Sequence, residues 1–127
     1  MNETDSPERF DLQSALDRFS GDHELLEEAI EIFIEEAVKH LSAIKTSIEH
    51  GNLKEASASS HTLKSECGAV GAIQAHSLSY ALEKGAAKGD MEESLEIFPQ
   101  LAKEIALAIE LLPEASSQLH LQLKTGY

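Results

Sequence analysis

A histidine and a lysine stand three residues apart among some of the smallest side chains in the sequence, in the run SSHTLKSECGAVGA over residues 59–72. In a helix each residue turns the chain by about 100°. Relative to His61, Ser57 and Ser65 then lie about 40° to either side, Lys64 about 60° away and Gly68 about 20° away. These five residues form one stripe, while Leu63 and Cys67 point to the other side, toward a core. Glu66 is turned about 140° from the ring, so it need not repel an anion there. A floor of small residues lets a second surface approach the imidazole, and an ammonium at i+3 reaches whatever the ring carries. Both features suit a phosphoryl group, with the ring as nucleophile and Lys64 balancing phosphate charge.

A third group follows from helix register. If two helices turn near residues 70–72, positions near 82 come level with His61. Leu82 is apolar and faces inward, which leaves Glu83 at the edge of the seam beside the ring. A carboxylate there accepts a hydrogen bond from Nδ1–H and leaves Nε2 as the free, more basic nitrogen. Tyr80 and His76 share that face and line the rim.

The elements that must hold these groups are helical. Ala, Leu, Glu and Ile are abundant, with 7 Gly, 3 Pro and no Trp. Pro7 is placed to open a short helix after Ser6, with Phe10, Leu12, Ala15, Leu16 and Phe19 on its apolar side. Asp22 can cap a long helix ending near His50 and Gly51. Its stripe Leu26, Ile30, Phe33, Ala37, Leu41, Ile44, Ile48 has helical spacing throughout. Asn52 can cap a third helix to about Gly68, with Ala56, Ser60, Leu63, Cys67 and Val70 inward. A fourth spans about 72–88, with Ala75, Leu78, Leu82 and Gly85 inward. Asp90 and Glu93 form an acidic capping box for a fifth helix. That helix carries Leu95, Phe98, Leu101 or Ala102, Ile105, Ile109 and Leu112, is bent at Pro99 and closes at Pro113. The expected fold is all-α: an antiparallel up-down-up-down four-helix bundle with a short extra N-terminal helix. Residues 1–6 are expected to be disordered, 7–113 to form the domain, and 114–127 to be a flexible tail.

Charge and composition narrow the function. The net charge is −13, distributed as −9 over residues 1–50, 0 over 51–90 and −4 over 91–127. So acidic a chain is a poor partner for nucleic acid or an anionic membrane. The one cysteine, Cys67, excludes an internal disulfide framework. The polar start is no signal peptide, and no apolar run approaches the ~20 residues of a membrane span. A cytoplasmic location is expected. Glu36 and His40, four apart, suggest a metal pair, but there is no Glu-x-x-His and no His-Glu-x-x-His, so no metal site is expected. No glycine-rich phosphate loop is present, which argues against a nucleotide site and a kinase.

The run SHTLKSECGAVGA, followed by ALEKGAAKGD, resembles the histidine phosphotransfer (HPt) domain family, whose motif is H-x-L-K-G, then a glycine, then a Leu-Glu or similar pair. His61, Leu63, Lys64, Gly71, Leu82 and Glu83 fill those positions, and GDHELLEEAIEIFIEEAVKHLSAI resembles the family's acidic helix. Ser65 stands where the family usually has Gly, and Ser60 where it usually has Ala. The resemblance covers roughly residues 10–112. It implies a phosphoryl carrier with no kinase machinery of its own: His61 is phosphorylated by a receiver-domain phosphoaspartate and passes the group to another receiver. By the same resemblance Lys64 neutralises charge and Glu83 orients the ring. The receiver, or response regulator, supplies the Mg²⁺, and the carrier needs no cofactor. Docking is expected over helices two and three, around Ser57, Ser65 and Gly68, on a monomer, and a hybrid histidine kinase is a possible donor. Two other readings are a non-phosphorylated helical adaptor for receivers and a substrate domain of a chemotaxis-type kinase.

Overall fold

The computed structural model describes residues 8–125. Among these it contains five helices and no strand: α1 (Leu12–Arg18), α2 (His23–Glu49), α3 (Leu53–Ala69), α4 (Ile73–Ala87) and α5 (Met91–Thr125). Successive long helices pack on one another, and α2 also packs on α5, which closes a ring around one core.

Four of the starts follow from side-chain capping. The Asp22 carboxylate accepts from the Glu24 and Leu25 amides at 3.0 and 3.2 Å, and Asn52 accepts from the Glu55 amide at 3.2 Å. Asp90 accepts from the Glu93 amide at 3.0 Å. Its box is only half formed, because the Asp90 amide donates to the Gly85 carbonyl while the Glu93 carboxylate faces Lys88 at 3.4 Å. The first helix starts later than the Pro7 signal predicts. Asp11 caps it through the Ser14 amide at 3.1 Å. Phe10, expected inside the helix, instead forms an isolated antiparallel bridge with Ala72. Ser6, Pro7 and the expected disorder of 1–6 lie outside the described residues.

The α2 stripe is buried as its spacing predicts, with Leu41 only half-buried, and the whole α3 stripe is buried. Each large apolar side chain taken from water contributes about 1.5–3 kcal/mol, so Leu26, Ile30, Phe33, Ile44 and Leu63 dominate this side of the core. The α5 stripe differs from expectation. Its buried face is Ser94, Ile97, Leu101, Ile105, Ala108, Leu112 and Ser116, and Leu95 is 56 % exposed. Serine and alanine at three of those positions conceal the true phase.

Nor does α5 end at Pro113. It continues to Thr125, so residues 114–125 are helical rather than a loose tail. Pro113 removes the donor for the Ile109 carbonyl and costs about 3 kcal/mol in a helix interior. Pro113 is exposed, so water can reach the freed carbonyl on that side. Opposite it, Leu112 and Ser116 are buried, and Ala115 and Leu119 pack against the core. That burial offsets the lost bond.

Gly71 sets the α3–α4 turn. It has φ +75°, and a Cβ there would stand 2.5 Å from the Asp11 carbonyl oxygen. The Asp11 amide donates to the Gly71 carbonyl at 2.8 Å, and the Ile73 amide to that of Arg9 at 3.1 Å. The chain before α1 is thereby fastened to the turn that fixes the α3–α4 register.

Candidate functional site

The α3–α4 hairpin brings together the three groups singled out by spacing. His61 Nδ1 lies 2.9 Å from Glu83 Oε2, and Lys64 Nζ lies 2.8 Å from Glu83 Oε1. One carboxylate therefore holds both the ring and the ammonium. The Lys64 contact is ionic, with an angle short of hydrogen-bond geometry. Lys64 pulls the Glu83 carboxyl below the usual glutamate range, partly opposed by burial, and the His61 hydrogen bond lowers it further. An ionised carboxylate only accepts, so Nδ1 carries the proton and donates. In the neutral ring the lone pair is then on Nε2.

Exposure separates the three. The His61 side chain is 60 % exposed, against 19 % for Lys64 and 21 % for Glu83. The ring stands out from a partly covered ion pair. Leu63 and Cys67, on the opposite side of α3, are fully buried. Burial pushes the Cys67 thiol up to about 12, so it supplies no thiolate at neutral pH.

The lysine is held from a second direction. Its Nζ lies 4.7 Å from the centre of the Tyr80 ring, and Lys84 Nζ lies 4.5 Å from the same ring. Lys84 was not among the expected site residues. Its spacing from Tyr80, one helical turn on α4, was the available signal.

The three expected docking residues occupy three different environments. Ser65 is exposed, and its hydroxyl donates to the His61 carbonyl at 3.3 Å, within its own helix. Ser57 is half-buried in the seam and donates to the Glu83 carbonyl at 2.9 Å. Gly68 does not lie open as the stripe suggested: a Cβ there would meet His76 Cδ2 at 3.3 Å, and its carbonyl accepts from the Arg18 guanidinium. The missing side chain makes room for His76 of α4. Nothing in the spacing of Arg18 announces its bond, which spans 50 residues.

Exposed apolar side chains also occur on α2. Ile32 and Val38 of α2 are 61 % and 54 % exposed. Ile32 and Phe33 of α2 share a shallow apolar recess with Ala69 and Val70 at the end of α3. No helix among the described residues is long and apolar enough to cross a membrane.

Comparison with known proteins bears on the family and the fold. The family model described as Hpt domain matches residues 28–120. The fold is similar to the crystal structure of histidine-containing phosphotransfer protein B (HptB) from Pseudomonas aeruginosa PAO1, with a TM-score of 0.75 and 17 % identity. That likeness covers 89 % of this chain and 98 % of the other. No curated protein matches the sequence. With five helices and no strand among the described residues, an exposed histidine tied to a neighbouring carboxylate, and a family match over most of its length, this protein belongs to the Hpt domain family.

Proposed function

We propose that this protein is a phosphorelay carrier that takes a phosphoryl group on His61 from a receiver-domain phosphoaspartate and passes it to a second receiver. The observation that carries the reading is the hydrogen bond between His61 Nδ1 and Glu83 on a ring that is otherwise exposed. Nε2 attacks phosphorus, the P–N bond forms, and the P–O bond to the receiver aspartate breaks, returning its carboxylate. The Nδ1 proton stays on the ring, where ionised Glu83 offsets the positive charge that phosphorylation places there. Lys64 turns from Glu83 toward the phosphoryl oxygens. Return transfer reverses these bonds. The receiver contributes Mg²⁺, and the transfer itself needs no nucleotide.

The three-residue links support an antiparallel up-down-up-down course for the four long helices, with α1 closing one end. We place the docking receiver over α2 and α3, with Ser65 nearest the ring and Ser57 and Gly68 acting through the seam beneath. The exposed apolar groups of α2 would be covered in that complex. We read the chain as a cytoplasmic monomer.

The test is transfer of label from a phosphorylated receiver. Wild type should acquire acid-labile, base-stable phosphate, and His61→Gln should acquire none. Equal labelling of both would remove His61 as the acceptor. Receiver binding without labelling of wild type would favour an adaptor instead. Labelling by a kinase with no receiver present would favour a kinase substrate domain.

A further inference from the structure

Glu36 and His40 are one turn apart on α2, and that pair alone lacks a third ligand. The fold supplies one. Glu66 of α3 crosses the seam so that its Oε1 lies 3.0 Å from His40 Nδ1. One ligand atom from each of Glu36, His40 and Glu66 lies within 4.8 Å of the others. We propose that these three side chains form a binding site for a divalent transition-metal cation such as Zn²⁺, separate from the phosphoryl-accepting trio.

Chemistry and geometry both fit. One imidazole nitrogen and two carboxylate oxygens are a borderline ligand set that suits Zn²⁺ better than Mg²⁺. Ligand atoms about 2.0–2.2 Å from a tetrahedral zinc stand about 3.3–3.6 Å apart. The His40–Glu66 pair is already within a few tenths of an ångström of that spacing. Glu36 must close the remaining distance, and its side chain is 37 % exposed, so rotation suffices. Its present partner, Lys39 Nζ at 3.3 Å, is 71 % exposed and easily displaced. Three protein ligands leave a fourth position for water. A cation bound at Nδ1 leaves the imidazole N–H on Nε2, and the two carboxylates balance the metal charge.

Position adds weight. Glu36 and His40 lie on the part of the chain with net charge −9, which concentrates cations, while Glu66 reaches them from the neutral segment 51–90. Glu36 and Glu66 also line the apolar recess with Ile32 and Val70. A bound cation would pin α2 to α3 and neutralise two carboxylates at the edge of that recess. Glu66 faces away from His61 on α3, so the metal does not compete with phosphorylation for the same ligands.

The experiment is calorimetric titration of the tag-free, chelator-treated full chain with zinc chloride. Wild type should bind one equivalent. His40→Ala and Glu66→Gln should each weaken binding at least tenfold, since even outer-shell losses cost about 10–100-fold. Magnesium should bind at least tenfold more weakly than zinc. His120→Ala should change nothing, which separates this site from the stacked His23–His120 rings, whose centroids are 4.2 Å apart. At a free zinc concentration of 100 Kd the folded-to-unfolded ratio should rise about 100-fold. In wild type, nitrogen-15 resonances of the His40 imidazole should shift on zinc addition, a readout that needs no variant to fold. Absence of binding, an unshifted His40, equal affinity for magnesium, or binding lost in His120→Ala but kept in His40→Ala would each overturn the site.

Discussion

Glu83→Gln separates the two duties of the shared carboxylate. Glutamine keeps an acceptor for His61 Nδ1–H but removes the charge from both contacts, at 2.9 Å to the ring and 2.8 Å to Lys64. A hydrogen bond to a charged group is worth about 1.5–3 kcal/mol, against about 1 for a neutral one, so the phosphorylated ring loses about 1–1.5 kcal/mol of stabilisation. An opposing effect comes from Lys64. Wild-type Lys64 must leave a partly covered ion pair, worth about 0.5–1 kcal/mol, before it can meet the phosphoryl oxygens. In the variant that cost disappears. The ring term is larger, with a net loss of about 0.5 kcal/mol and at most about 1, so transfer should slow by about twofold and by no more than about fivefold. Glu83→Ala, which removes the acceptor altogether, should be slower than Glu83→Gln. The assay is rapid-quench transfer from a labelled receiver, with receiver affinity measured separately by calorimetry. Combining Glu83→Gln with Lys64→Ala should show non-additivity of at least ~0.5 kcal/mol, as expected for side chains in contact. A Glu83→Gln variant that transfers as fast as wild type or faster, with unchanged receiver affinity, would refute the assignment of ring stabilisation to this carboxylate.

Three further outcomes are expected. Gly71→Ala places a methyl group 2.5 Å from the Asp11 carbonyl oxygen at a positive φ, which costs about 1–2 kcal/mol for the backbone alone, and more if the Asp11–Gly71 bond breaks; chemical denaturation should show a loss of ~2–4 kcal/mol, and an unchanged midpoint would mean the turn is not held as described. Because the folded-state pKa of Glu83 is depressed, its contribution to stability is complete above the ordinary glutamate pKa and is lost as pH falls through the lower folded value; acid melts of wild type and Glu83→Gln should converge in that window, and a constant gap down to the lowest pH would contradict the ion pair. Cys67 is fully buried with its thiol raised to about 12, so a thiol reagent at neutral pH should label it only at the rate of global unfolding, and fast labelling of folded protein would show that α3 opens locally.

The site was legible because its groups obey two simple rules. His61 and Lys64 share a helix face through the 3.6-residue repeat, and Glu83 follows from where the hairpin turns. Leu63, Cys67 and the α2 stripe were legible for the same reason: large apolar residues recur on one face. The signal failed where small residues do the packing. Ser94, Ala108 and Ser116 carry the buried face of α5, while Leu95 lies in solvent. The sequence past Pro113 holds Ala115, Ser116 and Leu119 at helical spacing from Leu112, but the proline outweighed that weaker pattern. Gly68 misled for a related reason. A missing side chain can open a surface or admit a neighbour, and only the position of His76 decides between them. Arg18 was beyond reach, because a guanidinium bonded to a backbone carbonyl 50 residues away leaves no periodic trace.

The acceptor constellation closes over a short stretch of chain. Its hydrogen bond spans 22 residues, whereas the Arg9–Glu104 pair that ties the two ends of the domain together spans 95. Loop closure grows costlier with length, and nearby contacts form sooner. The chemistry-bearing hairpin can therefore take shape as a kinetic unit ahead of the rest, and α5 arrives at a seam whose reactive geometry is already set. Tolerance to sequence drift should differ accordingly, with the late-arriving helix freer to change than the hairpin that measures out the site.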